Sequence, residues 1–240
     1  MLLAVHGMTS SRRSWTRLAH HLDGRFRIAA YDQRGHGDSA GVDGPMSLGR
    51  GVRDAENVAA ALDEPLDGLV GHSWGGAIAI LAGMRLPVRG VAAIDPMIRQ
   101  VDDDWYEEYV AELRDSFGLH GQVRDARVRV EYADWDPVDV EGKVHAVHAM
   151  TVAPIQGLWR ENPPEAWDLR ESVARYDKPL LLALAASGQS INDDTVLDEL
   201  RATASANVEI ETFADAGHNL HRTHFDRFAG RLDRWLNKNF

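Results

Sequence analysis

The segment Gly71-His72-Ser73-Trp74-Gly75 follows an apolar strand-like run and precedes an apolar helical one, the setting in which a serine becomes a nucleophile. In such a strand-to-helix elbow the chain turns too sharply for side chains beside the serine. Glycines therefore flank it, and its Oγ stands clear of the sheet. A hydroxyl attacks poorly at neutral pH. It needs a base within hydrogen-bond reach, an acceptor that holds the base's tautomer, and N–H donors for the oxyanion. Ser73 is the candidate nucleophile, and the N–H of Trp74, one residue on, is the first candidate oxyanion donor.

The elements that must hold this elbow are legible on both sides of it. β-type runs over residues 2–6, 26–32, 66–72, 90–95, 179–186 and 207–213 alternate with helical patterns. That alternation predicts an α/β fold, a mostly parallel sheet covered by helices on both faces. Trp15, Leu18, Ala19 and Leu22 form one apolar stripe, and Leu48, Val52, Ala55, Ala59 and Leu62 form another. The helix after Ser73, through Ile78, Ile80, Leu81 and Met84, is apolar on most sides and is expected to be central. A last helix over 220–236 should bury Phe225, Phe228, Leu232, Trp235 and Leu236.

Between Asp95 and Lys178 the alternation stops for a stretch too long to be a structureless loop. A mainly helical cap inserted over 97–177 is expected, with a core made of 1–96 and 178–240. The cap segment is rich in aromatics: Trp105, Trp135, Trp159, Trp167, Tyr106, Tyr109, Phe117 and Tyr132. Some should pack it onto the sheet, and others suit the walls of an apolar acyl or aryl pocket.

Composition narrows the functions. The 240 residues carry a net charge of −11 and no cysteine. Thiolate zinc sites, disulfides and cysteine nucleophiles are excluded, and a reducing, cytoplasmic setting is expected. A chain this acidic repels phosphate backbones and anionic lipid, so neither nucleic acid nor membrane is an expected partner. The run 180–186 is too short to span a bilayer, and the start lacks the pattern of a signal peptide. From 98 to 177 acidic residues outnumber basic ones by about two to one. A solvated surface is the expected reading of that excess, with an acid-lined pocket for cations as the alternative.

Four motifs stand in order: His6-Gly7-Met8 after the first strand, Asp32-Gln33-Arg34-Gly35-His36-Gly37-Asp38-Ser39 after the second, the elbow after the third, and Ala216-Gly217-His218 after the last. With them the chain resembles the α/β-hydrolase fold family over nearly its whole length. The resemblance implies that His218 is the general base and that the N–H of Met8 is the second oxyanion donor. The acid most often follows the next-to-last strand, but residues 185–190 hold no carboxylate. Asp95, at the end of the strand beside the elbow, is the position some members use and keeps the order Ser, Asp, His. Asp193 and Asp194 are the alternative acids, in a segment that also reads as a helix start. The segment 32–39 reads as a structural turn, with Arg34 and Asp38 available to pin it and His36 within it. His218, His221 and His224 walk around a helix rather than along one face, so no metal and no cofactor is expected.

The family usually places two further strands before His-Gly, whereas five residues precede His6 here. A minimal sheet, a homodimer along the resulting edge, or a chain recorded from a later point would each account for that. Serine at the elbow implies hydrolysis of a carboxylic ester, lactone or thioester of a small, largely apolar molecule. The same machinery serves C–C bond hydrolases and aminopeptidases, and a ligand-binding or sensor protein on this fold is the reading from another class.

Overall fold

A computed structural model describes residues 1–42, 44–99, 103–148, 150–164 and 167–240; the side chains of residues 103–105 and 116 are outside the description, Trp105 among them. Six strands form one sheet in the order β2-β1-β3-β4-β5-β6, every neighbouring pair parallel. They are β1 Leu2–Val5, β2 Ile28–Ala30, β3 Gly68–His72, β4 Gly90–Ile94, β5 Leu180–Ala185 and β6 Val208–Phe213. All six lie inside the predicted runs, and β2 is the most shortened, as befits an edge.

The four inner strands are buried at every residue, which is why they read as continuous apolar runs rather than alternating ones. Within them the side chains still divide by the period of two. Leu3, Val5, Leu69 and Leu182 pack under α2 (Leu48–Ala60), α3 (Trp74–Arg85) and α9 (Asp194–Thr203). Leu2, Ala4, Val70 and Leu181 face α1 (Thr16–Leu22) and α11 (Phe225–Asn239), whose Phe228, Leu232, Trp235 and Leu236 seal the other side. The predicted last helix is broken: α10 (Leu220–Thr223) stops at His224 before α11 begins. The expected side chains of α11 are nonetheless inside, save the half-buried Phe225.

Five described helices lie in the excursion between β4 and β5: α4 (Asp103–Gly118), α5 (Gly121–Glu131), α6 (Pro137–His148), α7 (Ala153–Arg160) and α8 (Arg170–Ala174). Its ends meet at the base, where Leu169 N–H donates to Ile98 O at 2.8 Å. Val110, Leu113, Phe117, Val128, Val144 and Val147 form a cluster of their own there. The side chain of Met8 packs against both that cluster and the one on the sheet. Trp167, fully buried, lies edge-on to Trp74 at 4.9 Å and donates to Met97 O, while Trp159 stacks on Tyr106 at 4.4 Å. The tryptophans that face the sheet are therefore packing residues. The acidic excess of this region is carried largely by exposed side chains, Glu107, Glu108, Glu112, Glu131 and Glu141 among them. No described helix is long and apolar enough to cross a membrane.

Candidate active site

Ser73 sits between the end of β3 and the start of α3 with φ +55° and ψ −123°, a left-handed conformation rare for a residue with a side chain. Close packing makes the elbow tight enough to require it. A Cβ on Gly75 would lie 2.2 Å from Val5 O, and one on Gly71 would lie 2.3 Å from Gly75 O. The flanking glycines are thus needed for backbone approach. Ser73 O accepts from Gly76 and Ala77 N–H at 2.9 and 3.1 Å, which starts α3, and its N–H donates to Ile94 O at 3.0 Å.

Among the described residues only Thr9, Ser73 and Asp95 combine a side chain with positive φ, at +52°, +55° and +36°. Such strain costs about 1–3 kcal/mol per residue and concentrates at functional sites. All three cluster at the carboxyl ends of adjacent strands, β1, β3 and β4, the edge of a parallel sheet where ligands bind.

The structure brings Asp95 to His218 and leaves the other carboxylates elsewhere. Asp95 Oδ2 accepts from His218 Nδ1 at 2.6 Å and from Ile191 N–H at 3.0 Å. Its Oδ1 accepts from Ser190 Oγ at 2.7 Å and Ala185 N–H at 3.1 Å. The carboxylate is fully buried, with four donors around it. Asp193 instead caps α9 by accepting from Val196 N–H at 2.8 Å, and Asp194 accepts from Ser187 Oγ at 2.6 Å. The segment after β5 that lacks an acid therefore supplies the donors that hold one. Sequence reading missed Ser190 and Ile191 because they act on a residue of another strand; a serine where a carboxylate was sought was the available signal.

His218 is held against the elbow by the residue preceding the serine. His72 Nε2–H donates to His218 O at 2.9 Å, and the two rings lie 4.6 Å apart. On its other side His72 meets His221 at 4.3 Å. Burial, reinforced by neighbouring cationic groups, holds the His72 and His221 imidazoles well below the usual histidine range, so both pack as neutral rings. His224, beyond the helix break, faces Asp215 instead, so the three histidines do not converge on one point.

On the opposite side of the elbow, a Cβ on Gly7 would lie 3.0 Å from Ser73 Cβ, which places the His6-Gly7-Met8 loop directly against it. His6 Nε2 accepts from Gln33 N–H at 3.0 Å, tying this loop to the turn after β2. Burial pushes the His6 imidazole down to about 3, which keeps that nitrogen an acceptor. Met8 N–H has no acceptor among the described residues, and Trp74 N–H, first in α3, has none within its helix. Two unspent donors thus flank Ser73, one of them at the positive end of a helix.

The turn over 32–39 is structural, as expected. Asp32 accepts from Arg12 N–H at 2.7 Å and Asp38 N–H at 3.0 Å, while Arg34 pairs with Asp54. His36 is buried beside His6 and donates to or accepts nothing from the elbow. Asp32, Asp38 and His145 bring ligand-type atoms within 4.8 Å of one another, but the Arg12 guanidinium donates to both carboxylates and fills the role of the cation.

A parallel sheet covered on both faces, with a serine elbow at its carboxyl edge and an Asp–His pair beside it, defines a class: hydrolases of the α/β type. The chain belongs to the alpha/beta hydrolase family, whose family model matches residues 2–231. It is 34% identical over 232 residues to lipase LipV of Mycobacterium tuberculosis, covering 90% of this chain and 85% of that one. The magnesium-chelatase 30 kDa subunit of Rhodobacter capsulatus is 24% identical over 269 residues, covering 98% and 86%. Among solved structures, E-2-(acetamidomethylene)succinate hydrolase superposes with a TM-score of 0.79 at 20% identity, covering 99% of this chain and 91% of that one. The enol-lactonase of Burkholderia xenovorans superposes with a TM-score of 0.77 at 17% identity, covering 98% and 90%. The chain is accordingly a hydrolase of this fold.

Proposed function

We propose that the protein cleaves carboxylic esters, or related lactones and thioesters, of small and largely apolar substrates through an acyl-enzyme on Ser73. The observation that carries this reading is the Asp95–His218 hydrogen bond beside the elbow, which engages Nδ1 and leaves Nε2 to take a proton. Ser73 Oγ attacks the acyl carbon as His218 takes its proton, and the N–H groups of Trp74 and Met8 hold the developing oxyanion. The tetrahedral intermediate collapses, His218 returns the proton to the leaving alcohol, and the ester bond breaks. Water then adds to the acyl-enzyme with His218 as base, which releases the acid and restores Ser73. The similarity to a protein named a lipase supports the choice of ester over other acyl bonds.

The helices α4–α8 act in this reading as a cap over the elbow, with the apolar cluster beneath them as wall of the acyl site. The test is labelling of Ser73 by a fluorophosphonate together with hydrolysis of a panel of esters, lactones, thioesters and aminoacyl amides. Labelling that is lost in Ser73→Ala, with turnover of short activated esters, is the expected result. A folded protein that neither labels nor turns over would place the chain with the ligand-binding members of the fold, and preference for amides would retire the ester assignment.

A further inference from the structure

Two cations lie beside the oxyanion loop without a carboxylate in ion-pair reach among the described residues. Lys143, on α6, donates to Thr9 O at 3.0 Å and Thr9 Oγ1 at 2.9 Å. Arg222, on α10 and 5% exposed, donates to Ser10 Oγ at 2.9 Å and lies over the Trp135 ring at 4.6 Å, while its Nε is buried with no acceptor. Thr9 and Ser10 directly follow Met8, so both charges stand within two residues of a candidate oxyanion donor. The other buried arginines are spent differently. Arg124 donates to the carbonyls of Phe117, Leu119, Val147, His148 and Met150, and Arg231 pairs with Glu209 and Glu211.

Lys143 lines a small pocket of about 70 Å³ bounded by Thr9, Tyr109, Leu113, Phe117, Tyr132 and Val147. Three further charges line it, Glu112, Arg127 and Glu131, and all are exposed at its outer side, where water screens them. Asp139, the buried acid nearest in sequence to Lys143, is committed to Arg17 at 3.0 Å. Lys143 is thus the charge held against Thr9, in a pocket whose other charges are exposed and whose remaining walls are largely apolar and phenolic. Burial and the nearby Arg222 push its ammonium down to about 7, against an opposing pull from Glu131 and Glu112. An ammonium shielded from water is costly unless an opposite charge pairs with it, and among the described residues no carboxylate forms an ion pair with Lys143.

We infer that this pocket binds a carboxylate carried at the far end of the substrate's acyl chain, with Lys143 Nζ as its direct ligand and Arg222 as a second positive charge behind Ser10. The inference rests on the Ser73 reaction proposed above. Thr9, in the wall of the pocket, directly follows Met8, whose side chain packs against the same apolar cluster, so the pocket and the candidate oxyanion donor share one loop. Exposed acids at the mouth disfavour polyanions such as phosphate, and a single carboxylate suits one ammonium in an apolar sleeve.

The experiment compares mono-4-nitrophenyl esters of dicarboxylic acids, glutaric to suberic, with the same esters capped as methyl esters, subtracting enzyme-free hydrolysis. At the chain length that fits, the free carboxylate is expected to be preferred in kcat/KM by roughly tenfold to a hundredfold, mostly through KM. Lys143→Met brings the ratio of the pair to about one, and Lys143→Arg retains part of it. A structural role would lower both esters together and leave their ratio alone. Should Lys143→Met fail to fold, the unaltered protein still decides: free adipate, not dimethyl adipate or inorganic phosphate, protects Ser73 from labelling. No preference at any chain length, an unchanged ratio in Lys143→Met, or protection by phosphate as strong as by adipate would overturn the inference while leaving a labelled Ser73 intact. Absence of labelling and turnover would overturn both.

Discussion

The two charged regions beside the elbow are built on opposite principles. Asp95 is fully buried and surrounded by four donors, two main-chain N–H groups, a serine hydroxyl and an imidazole. Among the described residues Lys143 and Arg222 hydrogen-bond to Thr9 and Ser10 and lie over aromatic faces, with no carboxylate in ion-pair contact. A charge whose hydrogen-bonding capacity is exhausted cannot turn toward a ligand, and it holds its neighbour in one orientation. A charge left short of partners keeps that capacity for something that arrives. In the proposed reaction the first region orients His218, and in the proposed pocket the second recognises the substrate.

The largest expected effect tests the first. Asp95→Asn is expected to lower kcat on a neutral ester by between roughly 100- and 10,000-fold, because the wrong tautomer of His218 is then held. Asp193→Asn is expected to cost little in kcat, since it caps α9. Steady-state rates on 4-nitrophenyl butyrate check both, and a reversal of that order would move the acid to the α9 cap.

Next in size, two buried arginines separate the principles by stability alone. Arg124→Met removes a guanidinium that closes the turns around α5 and orphans several carbonyls, and is expected to destabilise by about 3 kcal/mol. Arg222→Met removes a charge that forms no ion pair among the described residues and is expected to be neutral or slightly stabilising in the ligand-free protein. Urea unfolding of both variants measures the difference; equal losses would mean that Arg222 is as well partnered as Arg124.

A smaller effect is expected at Ser190→Ala, which removes one of the four donors to Asp95 while leaving the pair with His218. Loss of one donor of four corresponds to roughly tenfold in kcat with little change in KM. No change would mean that main-chain N–H groups alone orient the carboxylate.

A last effect, gradual rather than abrupt, is a pH dependence of stability. Burial holds His6, His72 and His221 neutral in the folded state, while the unfolded chain protonates them below the ordinary histidine value of about 6.5. Below that value the unfolded state binds more protons. Stability is therefore complete above about 6.5 and falls as the pH drops from there toward the folded values, by at most about 1.4 kcal/mol per pH unit per group. His221→Phe is expected to flatten that slope, read from urea unfolding at a series of pH values; an unchanged slope would show that His221 takes a proton in the folded protein.

Much of the site was legible in the chain. The glycines at 71 and 75 announce a tight turn: a Cβ at 71 would lie 2.3 Å from Gly75 O, and one at 75 would lie 2.2 Å from Val5 O. Apolar runs without alternation announce strands covered on both faces, and the inner strands bear that out. The helix break at His224 was not visible, because the stripe of apolar residues continues through it. Nor were the donors that Ser190 and Ile191 give Asp95, since both look like ordinary loop residues.

By itself the sequence determined the elbow, the parallel sheet and the place of the helical excursion, because each depends on neighbours along the chain: sterics at glycine, and the periods of strand and helix. Which carboxylate meets His218 was decided only in three dimensions. The strand order sets β4 between β3 and β5, so Asp95 lies beside the elbow and within reach of the donors after β5, although His218 is 123 residues away. The meeting of Lys143 with Thr9 across 134 residues has the same cause. Charges find or lack their partners through the packing of distant elements, and no local pattern records that.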